Sequence, residues 1–333
     1  MTAPLRAGLG PVHRRRTGTR PATIVAPSPP EPHPGFLVPG TRLEDRYIVG
    51  ELVGRGGMAD VYRGRHEGTG AWVAIKVLSL DYRHDPFVQA RFIREARTTS
   101  KVRHENVIEL TDCGTIDDLR PFIIMEYLEG EDLGTTLARE GPLPWSRARP
   151  MLVQLLAAVQ AAHDRGIVHR DLKPENLFRT RKMGSDDFVT LFDFGIAKVH
   201  EPDDQALLTL DGQVFGTPSY MSPEQCQGLV VDHRSDLYSV GIIAYRMLTG
   251  VMPFSAEAPE RLMIEHCERM VPCMAFAAPR VVVPPRVEAL VRRALAKKAD
   301  DRFATAEEFA RAMLADVAPG SRGLFEDLGA LFR

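Results

Sequence analysis

Three short runs with β-strand patterning open the chain's regular region: RYIVGELVG from Arg46, ADVYRGRH from Ala59 and AWVAIKVLSL from Ala71. Glycine-containing turns such as Glu67-Gly68-Thr69-Gly70 separate them, so they predict an antiparallel meander. The period then changes. In DPFVQARFIREARTTSKV, Val88, Phe92 and Ala96 lie four apart with Ile93 on the same side, and Asp85-Pro86 is a start signal, which predicts one helix. NVIELTDCG and PFIIMEYL predict two more strands around a polar turn at Asp117 and Asp118, completing a small sheet by about Leu128. Beyond Gly130 the pattern is mostly helical, most clearly in WSRARPMLVQLLAAVQAAHDRG and again over 236–249 and 284–296. Between these helices NLFRT and FVTLFDF predict a hairpin turned through Lys182-Met183-Gly184-Ser185-Asp186. The charged run IVHRDLKPENLF, residues 167–178, therefore falls between a helix and a hairpin, at the expected seam of two lobes.

Composition narrows the function classes. With 333 residues, 44% apolar and 26% charged, the chain can bury a full core, and a net charge of −2 gives no reason to expect nucleic acid or an anionic membrane as partner. Cys113, Cys226, Cys267 and Cys273 form no CxxC pair, which argues against a zinc site or a disulfide scaffold and reads as small buried thiols in a reducing cytoplasm. No apolar run approaches the roughly eighteen residues of a membrane span, and the N-terminus lacks a signal-peptide apolar core, so the chain reads as soluble. Nine prolines up to residue 40, with five arginines before the first acid at Glu31, predict a disordered arm over 1–45.

Three constellations carry chemistry. In GRGGMADVY, Gly54, Gly56 and Gly57 lie between two strands, where glycines let backbone N–H groups approach a polyphosphate closely. Lys76 follows the apolar run AWVAI and needs an anionic partner if that strand is buried; Glu95 on the following helix can supply one. In the charged loop, Asp171 can accept a proton from an attacking hydroxyl, Lys173 can neutralise a phosphoryl group, and Asn176 can offer a neutral oxygen to a hard cation. Asp193 in LFDFGIA adds a carboxylate for the same cation, with Phe194 as an apolar anchor beside it.

The ordered set GRGGMADV, VAIK, REA, HRDLKPEN, DFG, GTPSYMSPE, SDLYSVG and DDRF resembles the protein-kinase superfamily, most closely the eukaryotic-like serine/threonine kinases of bacteria, over roughly residues 47–315. The resemblance implies an α+β, bilobal protein-kinase fold. A small antiparallel-sheet N-lobe with one helix would span 46–128, a larger mostly helical C-lobe 129–315, and a short amphipathic tail 316–333. It also implies ATP and Mg2+, with Mn2+ as an alternative. Asp171 then matches the catalytic base, with Lys173, Lys76 and Glu95 beside it; Asn176 and Asp193 match the metal ligands. Val53, Gly54, Arg55, Gly56, Gly57, Met58, Ala59, Asp60 and Val61 match the phosphate loop. Ala74 and Phe178, with Val61, match the adenine sandwich, and Met125 precedes the hinge at Glu126 to Leu128. Leu110, Thr99, Phe194 and His169 match the stacked regulatory column, and Arg302 with Glu224 the ion pair bracing the helical lobe.

Two departures are visible: Ala59 stands where the third loop glycine usually is, and Glu105 where proline is common. The added methyl at Ala59 is expected to be tolerated. Lys173 in DLKPEN together with GTPSY resembles the serine/threonine form, so protein substrates with serine or threonine acceptors are implied. Arg170 offers a cation on which a phosphorylated Thr209 can order the loop from Ile196 to Met221, with Thr217 as a second regulatory position. Self-association would then serve trans-autophosphorylation. The rival reading is a nucleotide-binding pseudokinase scaffold, which would usually show a substitution at Lys76, Asp171, Asn176 or Asp193; none is present.

Overall fold

A computed structural model describes residues 35–116, 118–182, 184–193 and 218–315. Residues 1–34 of the Pro/Arg-rich arm, Phe194, Thr209, Thr217 and the tail from residue 316 lie outside the described residues, whereas the end of the arm expected over 1–45 is ordered, with a strand at Arg42–Leu43 that buries Leu43. Strands β1 (Arg42–Leu43), β2 (Tyr47–Arg55), β3 (Ala59–His66), β4 (Trp72–Leu78), β5 (Leu110–Thr115) and β6 (Pro121–Glu126) form one antiparallel sheet in the order β1-β2-β3-β4-β6-β5. Helix α1 (Pro86–Thr99) interrupts them; the Asp85 side chain caps it by accepting from the backbone N–H groups of Phe87 and Val88, and Pro86 occupies its first turn. Phe92, Ala96 and Thr99 are the buried face of α1, packed with Ala59, Leu78 and Ile123 of the sheet.

The larger part is helical. It comprises α2 (Leu133–Glu140), α3 (Trp145–His163), α4 (Pro223–Cys226), α5 (Arg234–Thr249), α6 (Pro259–Glu268), α7 (Met274–Ala277), α8 (Pro285–Ala294) and α9 (Ala306–Leu314). Its core is built on α3 and α5, whose inward residues Leu152, Leu156, Val159, Leu237, Ile242 and Met247 are buried. A second sheet, β7-β8-β9, is formed by β7 (Gly130–Asp132), β8 (Leu177–Lys182) and β9 (Ser185–Leu191). This is the expected α+β arrangement of a curled antiparallel sheet with one helix beside a helical lobe.

Four details depart from the sequence reading. β7 escaped it, because three residues of Gly-Glu-Asp carry no apolar alternation. The β8–β9 turn is tighter than expected, since Lys182 pairs with Ser185. Asn106 to Ile108 precede β5 and pair with the other sheet: Ile108 N donates to Leu191 O (2.9 Å), Leu191 N to Asn106 O (2.8 Å), and the Asn106 amide to Val189 O (2.7 Å). Finally, Cys113 and Cys273 are exposed, not buried, because Cys113 points outward from the sheet-edge strand β5 and Cys273 precedes the short α7.

Candidate active site

β4 lies between β3 and β6, so Lys76 is on an interior strand, opposite Val61 on one side and Ile123 on the other. Its side chain is only 15% exposed, so the ammonium does need an anionic partner. The ammonium lies 2.9 Å from Glu95 Oε1 and 2.5 Å from Asp193 Oδ1. Burial works to lower the Lys76 pKa, but the attraction of Asp193 and Glu95 outweighs it and keeps the ammonium charged well above its ordinary range. Burial pushes Glu95 up to about 7, with Lys76 offsetting part of that rise. At Asp193 burial also works upward, yet Lys76 wins and holds the carboxyl below the usual carboxylate range. Lys76 pulls both carboxyls down, and the contact between them, which raises Glu95 and lowers Asp193, drives their pKa values apart.

The charged loop is rigidly built. Lys173 Nζ sits 3.3 Å from Asp171 Oδ2, and Asn176 Nδ2 donates to the Asp171 carbonyl (2.9 Å), which commits the amide nitrogen and leaves the amide oxygen as acceptor. Phe192 N donates to Asn176 O (3.1 Å), joining the loop to the segment that presents Asp193. Arg170 (φ 65°) and Asp193 (φ 53°) both adopt left-handed backbone, a conformation that costs non-glycine residues about 1–3 kcal/mol and has to be held by its surroundings. Buried Asp236 on α5 holds the first of them. Its carboxylate accepts from His169 N, Arg170 N and His163 Nε2, each at 2.8 Å. From the far side, Gln225 Nε2 of α4 donates to Arg170 O (2.8 Å). His169 is itself buried, its Nδ1 accepting from Asp171 N (3.3 Å), and burial lowers its pKa, so it packs as a neutral ring.

The other predicted positions fall around this centre. The glycine loop is the β2–β3 turn, closed by Gly56 N donating to Ala59 O (2.9 Å), and a Cβ at Gly57 would meet open space. Ala59 is buried with Phe92, Ala96 and Ile123, so its methyl packs inward against α1. Asp60 pairs across the turn with Arg55 (3.8 Å). Ala74 is opposite Met125 in the β4–β6 register, and Met125 borders a crevice of about 10 Å3 shared with Lys76, Glu95, Thr99, Leu110 and Asp193. Glu126 N donates to Glu109 O (3.0 Å) just before the connection through Leu128. Phe178 on β8 meets Phe192 edge-on at 6.3 Å. Val53 is half exposed on β2.

Sequence reasoning missed Arg91, Asp236 and Gln225. Arg91 lies one turn before Glu95 on α1; burial lowers its pKa while Glu95 and Asp171 pull it back up, so it sits in the field of both. The readable signal was a cation four residues before Glu95. A hollow of about 550 Å3 lies away from this centre at the β7-β8-β9 sheet; its Arg147 and Arg179 are already paired with Asp187, so it is an ion-pair-lined depression.

These distances put a glycine-rich turn, a lysine–glutamate pair and an Asp/Lys/Asn loop in one place, and the protein kinase domain profile matches residues 47–314. The chain belongs to the protein kinase family. Within that family it is 42% identical over 271 residues to the serine/threonine-protein kinase pkn3 of Myxococcus xanthus, covering 81% of this chain and 50% of pkn3. It is 41% identical over 282 residues to Pkn1 of the same organism, covering 84% of this chain and 39% of Pkn1. The chain therefore spans half or less of these curated relatives. Among solved structures, the Mycobacterium tuberculosis PknI kinase domain superposes with a TM-score of 0.64 at 27% identity, covering 85% of this chain and all of that one. Among the described residues of this family member, no helix is long and apolar enough to cross a membrane.

Proposed function

We propose that the chain is a serine/threonine protein kinase that transfers the γ-phosphoryl group of ATP to protein hydroxyls in the cytoplasm. The observation that carries this reading is Lys76 held between Glu95 and Asp193, with Asp171, Lys173 and Asn176 in the adjoining loop. Lys76 is an interior-strand cation fixed by Glu95, suited to grip the inner phosphates of a nucleotide lying under the β2–β3 turn. The Asn176 amide oxygen and the Asp193 carboxylate are hard oxygen donors joined through the Phe192–Asn176 backbone bond; this set fits Mg2+, or Mn2+, which these two residues would hold. The described residues hold no group of three His, Cys, Asp or Glu able to cage a metal, consistent with a cation shared with its substrate. A bound divalent cation would screen the phosphate charges.

Asp171 accepts the proton of the incoming hydroxyl, and Lys173 offsets charge on the phosphoryl group in transfer. Val61, Ala74 and Phe178 enclose the base, whose edge is read by backbone between Glu126 and Leu128. Phosphorylation of Thr209, paired with Arg170, is proposed to switch the enzyme, in trans between two copies; Thr217 is proposed to shape the substrate groove.

The test is transfer of labelled γ-phosphate to the full chain and to a generic basic protein, with wild type, Asp171→Asn and a chelated control. Transfer should require the divalent cation and fall by about 10²- to 10⁴-fold in Asp171→Asn. Mapping of the labelled sites should return Thr209. Equal transfer by both proteins would overturn Asp171 as the base, and none by either while both bind nucleotide would overturn the proposal in favour of a scaffold.

A further inference from the structure

Two of the four cysteines meet behind the catalytic loop. Cys226 ends α4 and Cys267 lies on α6; the Cys267 thiol donates to Pro223 O of α4 (3.7 Å), and the two thiols are near enough to act on one another electrostatically. Both are half-buried, within reach of a small solute. Lys297 completes the cluster: its ammonium donates to His266 O (2.6 Å) and Glu265 O (3.3 Å), and its charge acts on both sulfurs. Burial brings the Lys297 pKa down to about 8, so near neutral pH it is still mostly the ammonium, a fixed cation beside the pair of sulfurs. Burial pushes the Cys226 thiol up to about 12, so it stays protonated until the second step, in which its proton leaves with water.

What this pair can reach matters as much as its chemistry. The residue before Cys226 is Gln225, whose side chain holds Arg170 O next to Asp171, and the one before that is Glu224, paired with Arg302. A disulfide needs about 2.05 Å between sulfurs. Closing to it draws the end of a four-residue helix toward α6 and strains the Gln225 contact.

We propose that Cys226 and Cys267 form an oxidative modification site for hydrogen peroxide, closing to a disulfide that loosens Gln225 from the catalytic loop. The Cys267 thiolate attacks one peroxide oxygen; the O–O bond breaks, hydroxide leaves and is protonated to water, and sulfenic acid remains. The Cys226 thiol then attacks the sulfenic sulfur; the S–S bond forms, the S–O bond breaks, and a second water leaves with the thiol proton. Two thiols and one peroxide give one disulfide and two waters, the sulfurs losing the two electrons that the peroxide oxygens gain. The effect on phosphotransfer rests on the kinase reading; the bridge itself does not.

The experiment exposes the reduced full chain to a small excess of hydrogen peroxide, maps non-reduced peptides by mass, and follows phosphotransfer before oxidation, after it, and after dithiothreitol. A Cys226–Cys267 peptide should accumulate, activity should fall severalfold and return on reduction, and Cys226→Ser and Cys267→Ser should each keep wild-type activity through the treatment. Lys297→Met should slow bridge formation. Oxidation that yields only unbridged acids, or bridges using Cys113 or Cys273, would overturn the proposal whether or not the chain is an active kinase. A bridge that leaves phosphotransfer unchanged in an active enzyme would overturn the link to Gln225.

Discussion

Asp236 accepts a hydrogen bond from the backbone N–H of Arg170 at 2.8 Å, bridging α5 to the residue before the proposed base. Burial works to raise the pKa of Asp236, but the His163 ring and the backbone donors outweigh it, so the carboxyl sits below the usual carboxylate range. Because Arg170 holds a left-handed backbone, this contact maintains a strained conformation that a relaxed loop would abandon. Asp236→Ala should cost about 3 kcal/mol or more in urea unfolding, since charge-assisted bonds contribute roughly 1.5–3 kcal/mol each. Phosphotransfer at temperatures where the variant is still folded should fall at least about tenfold, since small misplacements of catalytic groups are expensive.

Lys76 and Glu95 act as a unit. Lys76→Met should lower phosphotransfer on the order of 10²- to 10³-fold, as removal of a positioned electrostatic donor does elsewhere. Glu95→Gln should cost less, because Asp193 still orients the ammonium. The double variant should be little worse than Lys76→Met alone, a non-additivity that a double-mutant cycle on kcat/KM measures directly.

Arg302 has no unused donor. Nη1 and Nη2 each meet a Glu224 oxygen (2.7 and 2.8 Å), while Ala296 O, Arg234 O and Lys297 O take the rest at 2.8, 3.0 and 3.1 Å. Arg302→Ala strands a buried carboxylate and should destabilise by about 3–5 kcal/mol. Arg302→Lys supplies three donors from one point and should recover only part of that loss. Chemical denaturation midpoints of the three proteins decide it.

His266 supplies the pH dependence. It is buried, its Nδ1 faces the Tyr238 hydroxyl (3.0 Å), and burial lowers its pKa to about 4, with Lys297 adding to the effect. The unfolded chain takes a proton on this residue below about pH 6.5, whereas the folded chain does so only near 4. Stability should therefore fall as pH drops through that window, by up to about 1.4 kcal/mol per pH unit from this group. His266→Gln should show a shallower slope between pH 6.5 and 4.5 when unfolding is measured across the range.

The motifs were legible because each is local: a strand, a turn or a loop whose residue types state their own needs. Lys76 was readable as buried because AWVAI precedes it, and Asp85-Pro86 announced α1 one residue ahead of its start. What escaped was either too short to show a period, as in β7, or depended on partners distant in sequence. Gln225 reaches Arg170 across 55 positions, and nothing in SPEQC announces that contact. Asn106 reads as strand by composition, yet its amide is committed to Val189 of the other sheet. Ala59 looked like a gap in a glycine pattern; only packing shows its methyl belongs to the core beneath α1.

The hydrogen bonds of Asn106 and Ile108 to β9 anchor the chain a short loop beyond the end of α1, and Phe87 at the other end is 86% exposed. Thr99 is therefore the end of the helix nearest that anchor. At 1.5 Å per residue, Glu95 lies about 6 Å and Phe87 about 18 Å from Thr99. A rigid tilt about Thr99 would displace Phe87 about three times as far as Glu95, so the Glu95–Lys76 contact is the part of α1 least disturbed by movement at its exposed end.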